Sequence, residues 1–349
     1  MCDENELISN KVNETALFMK YKSTYTSAFL DLSKHALVMY CLFYLMWYFK
    51  NSVISLAFIP IVSMILNRTF IVFHDCCHNS YTQNQTLNYI IAHITGMLVV
   101  TSPNWILDHH THHLTNGNIE NEQHYYFNET VIMTKQYYLK LSTIVKTIVY
   151  MYKQPYIFFT IVPLIYFGIF QRFIYIEKKL RNPMKYTQSL TTIVFNHVIN
   201  NIGSFCFLYS MYHVGLAYHY AACFVLSSSM AFMMFHNQHT YNPAYIANNK
   251  NWTQRNSGLK GSSFVQIPYY MKYFYMGIEY HHIHHMNSKI PGYNLQKYHE
   301  EVSSMFENIH TIKKTEFYNN LWLVLYDIDK SKYITFDDLE SDKEGSKCS

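Results

Sequence analysis

Twenty histidines are distributed along the 349 residues, and four groups of them stand at spacings that could do chemistry. They are His74-Asp-Cys-Cys-His78, Trp105-Ile-Leu-Asp-His109-His-Thr-His112-His113, Phe235-His-Asn-Gln-His239 and Tyr280-His-His-Ile-His284-His285. On a helix, residues i, i+3 and i+4 share a face. His74 and His78 therefore point the same way, as do His109, His112 and His113, and His281, His284 and His285. Each cluster is expected to present two or three imidazoles to one point. Neutral imidazole is the commonest metal ligand and suits iron, zinc and copper. A single tetrahedral zinc takes four ligands, and its structural sites usually include thiolates. Cys76 and Cys77 lie inside the first group, but eight or nine imidazoles are too many for one such ion. A two-metal centre fits the number of donors. Lone histidines in apolar stretches, such as His93 and His197, read as packing or hydrogen-bonding residues.

The elements that must position these groups are apolar. Charged residues make up 14% of the chain and aromatic residues 17%, against roughly 25% charged in a soluble domain. Fifty Lys, Arg, Asp and Glu side chains cover the surface of a 41.6 kDa protein thinly, which argues against an ordinary cytosolic enzyme. The mean hydropathy of −0.09 is too low for a chain lying mostly in lipid. Both facts hold together if apolar segments alternate with polar, His- and Tyr-rich ones, and the 33 tyrosines suit a membrane–water interface. A formal charge of +4 without a dense basic run gives no support to nucleic-acid binding. Seven cysteines without framework spacing indicate no disulfide scaffold and a reducing surrounding for the parts outside the membrane.

A crossing needs about 20 predominantly apolar residues. Segments 28–49 and 53–73 form one expected hairpin, with Arg68 expected to snorkel to the headgroups. Segments 190–212 and 214–235 form a second, with a tight turn near His213. Positive charge collects on the cytoplasmic side, so Lys20, Lys22 and Lys34 place the N-terminus there. Arg172, Lys178, Lys179, Arg181 and Lys185 place the loop after Tyr156–Phe170 on the same side. That segment and Leu87–Thr101 are then re-entrant or surface helices; six crossings is the alternative. All four histidine groups fall at the cytoplasmic face. The expected fold is an all-α membrane protein, four transmembrane helices as two hairpins plus a cytoplasmic helical cap carrying the histidines. Residues 1–27, with Asp3, Glu4, Glu6 and Glu14, read as a polar N-terminal segment, neither signal nor transit peptide. Residues 28–336 form the one large domain, and 337–349 read as an acidic, disordered tail.

With these residues identified, the chain resembles the membrane fatty acid desaturases, whose mark is three histidine boxes between two transmembrane hairpins. It is similar in particular to acyl-lipid desaturases of the delta-12 (omega-6) type. The match rests on His74-Asp-Cys-Cys-His78-Asn-Ser, His112-His-Leu-Thr-Asn-Gly-Asn118, Gln238-His239-Thr, Lys260-Gly-Ser-Ser-Phe264 and Gly277-Ile-Glu-Tyr-His-His-Ile-His-His285, continuing through Lys289-Ile-Pro-Gly-Tyr-Asn-Leu295. Cys77 stands where many relatives carry Gly. The resemblance runs from about residue 35 to 330. It implies two non-haem irons held by His74, His78, His109, His112, His113, His239, His281, His284 and His285, with His110 and His282 on unassigned positions and His236 a further neighbour.

The same resemblance implies O2 as co-substrate and an acyl chain on a membrane lipid or thioester as substrate. In a eukaryotic setting the membrane would be that of the endoplasmic reticulum. Asp75, Asp108 and Glu279 adjoin the ligands as acceptors for imidazole N–H groups, or as caps and surface charges. Trp105 and Trp252 read as interfacial anchors, or as lining of the acyl channel. No His-Pro-Gly-Gly haem segment, nucleotide-binding glycine fingerprint or four-cysteine iron–sulfur run is present. A separate cytochrome b5 or ferredoxin is therefore the implied electron donor, and the basic stretch Lys178–Lys185 is a candidate docking patch. Acyl hydroxylation on the same scaffold is the alternative reaction. A metal transporter is the alternative class, but its sites lie near the bilayer midplane on broken helices, whereas these clusters lie at the ends of apolar spans. An inactive scaffold is disfavoured by the presence of all nine expected ligands.

Overall fold

The computed structural model describes residues 17–122, 132–181, 188–303 and 309–345. The acidic side chains Asp3, Glu4, Glu6 and Glu14, Lys185, and the last four residues lie outside them. Helix α1 (Tyr25–Tyr48) starts at a reciprocal cap, in which the Thr24 hydroxyl accepts the Ser27 N–H and the Ser27 hydroxyl accepts the Thr24 N–H. It turns through a short 3₁₀ segment into α2 (Phe58–Cys77), whose second half is buried from Leu66 to Cys76 except for Phe70. α2 is the central pillar, packed on α1, on α3 (Gln85–Leu98) and on a later long helix.

Arg68 does not snorkel. It is 2% exposed and pairs with Asp31 of α1, whose other oxygen accepts the Tyr81 hydroxyl at 2.9 Å. The guanidinium also covers the Tyr273 ring at 4.3 Å. A desolvated arginine needs this full set of partners, and the set closes the first hairpin.

After α3 the chain bends by 106° into Pro103–Thr115, which contains α4 (Ile106–Thr115). Gly96 permits the bend: a Cβ there would meet the Thr101 carbonyl at 2.4 Å. Downstream come the amphipathic α5 (Thr143–Tyr152), the apolar stretch Pro155–Arg172 and the basic α6 (Ile174–Arg181). Then α7 (Leu190–His213) and α8 (Ala217–His239) form the second hairpin, with α8 against α2.

Among the described residues four helices can cross a membrane by length and composition, Tyr25–Tyr48, Val53–Cys77, Pro155–Arg172 and Ala217–His239, with the bent pair a further candidate. The number agrees with the expected four crossings, but the membership changes at one place. α7 is a continuous 24-residue helix with a polar buried face, Asn196, His197, Asn200 and Ser204. That face is occupied by the bend before α4. Asn200 donates to the Thr101 carbonyl at 3.0 Å, Asn104 to the Ile193 carbonyl at 2.8 Å, and Asn196 to the Asn104 side chain at 2.9 Å. Buried amides must be satisfied in this way, so the polarity of α7 serves the loop that positions the second histidine group.

The cap holds α9 (Gln254–Lys260), α10 (His281–Met286), α11 (Gly292–Val302) and α12 (Lys314–Asn320). It also contains two small sheets. β1 (Phe264–Val265) and β2 (Thr311–Ile312) pair in parallel, while β3 (Leu325–Asp327) and β4 (Lys332–Ile334) form an antiparallel hairpin with Tyr326 opposite Tyr333. The expected disordered tail is a helix over most of its length, α13 (Phe336–Gly345). Leu339 and Phe336 are buried with Val149 of α5 and Leu325 of β3. The Lys135 ammonium bridges Asp327 and Asp342 at 2.7 and 2.8 Å. An apolar face and a cation between two carboxylates supply the order that acidic composition alone did not suggest.

Candidate metal centre

The four histidine groups occupy helix ends that meet. His74 is in the last turn of α2 and His78 caps it. α4 carries His109, His112 and His113, α8 ends on His239, and α10 consists of His281–Met286. The nine imidazoles do not gather by sequence cluster. His74, His78, His109, His113 and His284 offer donor atoms within 4.8 Å of one another, and His112, His239, His281 and His285 form a second such set. α4 and α10 are thus each divided between the two sets, where one point per cluster was expected. Successive helical residues are about 100° apart. His109 and His113 share one direction while His112 leans to the other side, and likewise His281 and His285 against His284. The two sets share a wall, because the rings of His113 and His285 stack at 4.2 Å.

In the first set the Nε2 atoms run His74–His109 at 3.1 Å, His109–His113 at 3.1 Å and His113–His284 at 3.0 Å. In the second they close a ring: His112–His239 at 3.1, His239–His281 at 2.9, His281–His285 at 3.1 and His285–His112 at 3.1 Å. Two nitrogens bound at right angles to one ion, each about 2.1 Å from it, lie about 3.0 Å apart. The donor sets therefore fit metal ions, and nitrogen is their only donor element. Burial, with neighbouring imidazoles as the second cause, holds His281, His284 and His285 well below the ordinary imidazole value. That favours the neutral imidazole, the form that binds a cation.

The supporting contacts are specific. Asp75 Oδ1 lies 3.0 Å from His74 Nδ1, and its Oδ2 accepts the Gly292 N–H at 2.6 Å. A carboxylate so held fixes the His74 tautomer with Nε2 toward the set. His239 Nδ1 lies 3.1 Å from the Gly261 carbonyl. One oxygen of Asp108 meets the Lys178 ammonium at 2.6 Å. Glu279 is 1% exposed, neither of its oxygens has a hydrogen-bond partner among the described residues, and burial pushes its carboxyl up to about 7. Of the remaining histidines, His110 is exposed, His282 is buried outside both sets, and His236 Nε2 faces the Asn320 carbonyl at 2.9 Å.

Sequence reasoning missed two aromatic walls. Trp105, an expected interfacial anchor, is 3% exposed and stacks on His109 at 4.1 Å and 22°. Phe235 packs on His112 and His239 at 5.3 and 5.0 Å. Each stands four residues before a histidine it touches, Trp105 before His109 and Phe235 before His239, and that spacing was the available signal. Trp252 is tied to the cap instead, donating its indole N–H to the Asn116 carbonyl at 2.8 Å. Lys289 donates to the His78 carbonyl at 2.5 Å, and Gln254 to the His113 carbonyl at 2.8 Å.

Known proteins share this arrangement of sequence. A fatty acid desaturase from Bacillus subtilis is 28% identical over 284 residues, 81% of this chain and 78% of that one. Shorter matches include a Nostoc sn-1 acyl-lipid omega-3 desaturase (ferredoxin), 38% identical over 16% of each chain. Another is a Nicotiana tabacum endoplasmic reticulum omega-3 fatty acid desaturase, 36% identical over 16% of this chain and 14% of that one. The sequence model of the fatty acid desaturase family matches residues 47–314. The chain belongs to the fatty acid desaturase family and is an oxidoreductase of that class.

Proposed function

We propose that this chain inserts a double bond into the acyl chain of a membrane lipid or thioester, at a delta-12/omega-6 type position, using O2 and two irons held by its nine clustered histidines. The carrying observation is the pair of adjacent all-imidazole sets at the ends of apolar helices. His74, His78, His109, His113 and His284 would hold one ion, and His112, His239, His281 and His285 the other. An unactivated methylene C–H bond resists acid–base catalysis, and bound iron would supply the oxygen activation and electron transfer that side chains lack. Over one turnover –CH2–CH2–, O2, two electrons and two protons become –CH=CH– and two waters.

The protein's part is placement and exclusion of water. Trp105 and Phe235 give one apolar wall to each set, so a hydrocarbon can lie against both without hydrogen-bonding groups to desolvate. Asp75 orients His74, and Lys289 and Gln254 pin the backbone of His78 and His113. The positive-inside asymmetry supports a cytoplasmic location for the centre, in an endoplasmic reticulum membrane if the cell is eukaryotic. The absence of haem, flavin and iron–sulfur motifs from the sequence supports a separate donor, cytochrome b5 or ferredoxin.

The test is the fatty acid profile of yeast expressing the chain, with double bonds located by mass spectrometry and His284→Ala run beside it. A new dienoic acid, absent from the variant, is the expected product. A new omega-3 bond would move the position assigned, and a hydroxy acid would replace desaturation by hydroxylation. No product from well-expressed, iron-loaded protein supplied with either donor would overturn the proposal.

A further inference from the structure

We propose that an acidic one-electron carrier protein docks on the cap face formed by Lys22, His110 and Lys289, directly over the first histidine set. The inference rests on the desaturase reading and names the surface through which electrons enter. All three side chains are exposed, and neither lysine has a carboxylate partner among the described residues. They come together from three segments. Tyr21 and Ser23, which flank Lys22, hydrogen-bond to Asn294 and Tyr293 at 2.9 and 2.8 Å. Those residues follow Lys289 by four and five positions. The Lys289 ammonium in turn donates to the carbonyl of His78, whose ring lies 5.0 Å from that of His109. His110 is the exposed neighbour of His109, one peptide bond from a member of the set.

From this face a short covalent and hydrogen-bonded route leads from solvent to the first set, through the Lys289 ammonium on the His78 carbonyl and through the peptide bond between His110 and His109. Electron transfer weakens steeply with distance, so a donor is most effective where the acceptor comes nearest the surface. Another basic element is α6, and two of its cations are already committed. Lys178 is bound to the buried Asp108, and Arg181 pairs with Glu177 one turn away. Exposed cations with no carboxylate partner among the described residues, beside the first set, would steer and orient an acidic partner, raising its association rate. Each encounter oxidises the carrier by one electron and reduces the metal centre by one, so two encounters supply the two electrons of a turnover.

Binding without turnover tests this. The full-length protein in detergent is titrated at low salt with an oxidised [2Fe–2S] ferredoxin and, in a second arm, with the soluble haem domain of cytochrome b5. Lys22→Glu should raise the Kd of the productive carrier about tenfold, and Lys22→Glu/Lys289→Gln more. Lys332→Glu, on the distant β-hairpin, should leave it unchanged. Raised salt should weaken wild type most. Binding to only one carrier identifies whether an iron–sulfur or haem protein is the partner. A Kd unaltered by Lys22→Glu, binding insensitive to salt, or no binding of either carrier would overturn the proposal. Carrier that binds through this face to a protein forming no lipid product would instead count against the desaturase reading alone.

Discussion

At Asp75 one carboxylate does two jobs that belong to different parts of the chain. It meets the His74 ring on one oxygen and the Gly292 backbone on the other. Replacing an outer partner of a metal-binding histidine typically costs about 10–100-fold in metal affinity. Asp75→Asn keeps the shape and removes the charge, so the protein should still fold while losing iron to a chelator at about tenfold lower concentration. Metal content per chain after graded chelation measures this. His236→Ala is the matched contrast: its ring faces the Asn320 carbonyl, outside both sets, and its chelation curve should overlay wild type. The histidine groups could be read from the sequence because residue type and the i, i+3, i+4 spacing are local properties, and the family resemblance singled out nine of their members. Their division into five and four could not, since it depends on which imidazoles of other helices stand opposite. Trp105 misled for the same reason: its neighbours Phe70, Phe73 and His109 come from two helices.

Among the elements, the bend between α3 and α4 decides where the second histidine group lands. Gly96 lies under the Thr101 carbonyl with no room for a methyl group. Because the obstructing atom is backbone, Gly96→Ala must reopen the bend, at a cost of about 1–3 kcal/mol. The expected outcome is a lower unfolding temperature and a loss of bound iron, read by thermal melts and metal analysis. An unchanged melt and full iron content would show that the bend is not rigid. α7 carries the matching lesson. Its polar residues lower its apolarity, yet each amide that contacts the bend satisfies a group that the bend would otherwise bury unpaired. Arg68 is similar, because its partner Asp31 lies 37 residues earlier on the facing helix.

For the molecule as a whole, the C-terminal hairpin and α13 are attached through α5 and through Lys135. The hydrogen bond from Lys135, and then that from Lys330, draws the Asp342 carboxyl down to about 2. A depressed carboxyl stabilises the folded form above its ordinary range and ceases to do so as pH falls through the folded value. Attachment of residues 325–345 should therefore weaken between about pH 4 and 2. Hydrogen exchange measured across pH 6 to 2 should show this segment losing protection before α2 and α8. Lys135→Met should shift the loss to higher pH. Equal protection of all three at every pH would exclude the ion-pair account.

By itself the sequence determined the class of the protein, the histidine groups and the helices that carry them, because hydropathy, residue chemistry and helical period act over a few residues. Tertiary structure decided which histidines gather in each set, which polar residues serve a bend, and that the acidic end is helical and docked. Those outcomes depend on contacts between segments tens to hundreds of residues apart, and no local pattern records them.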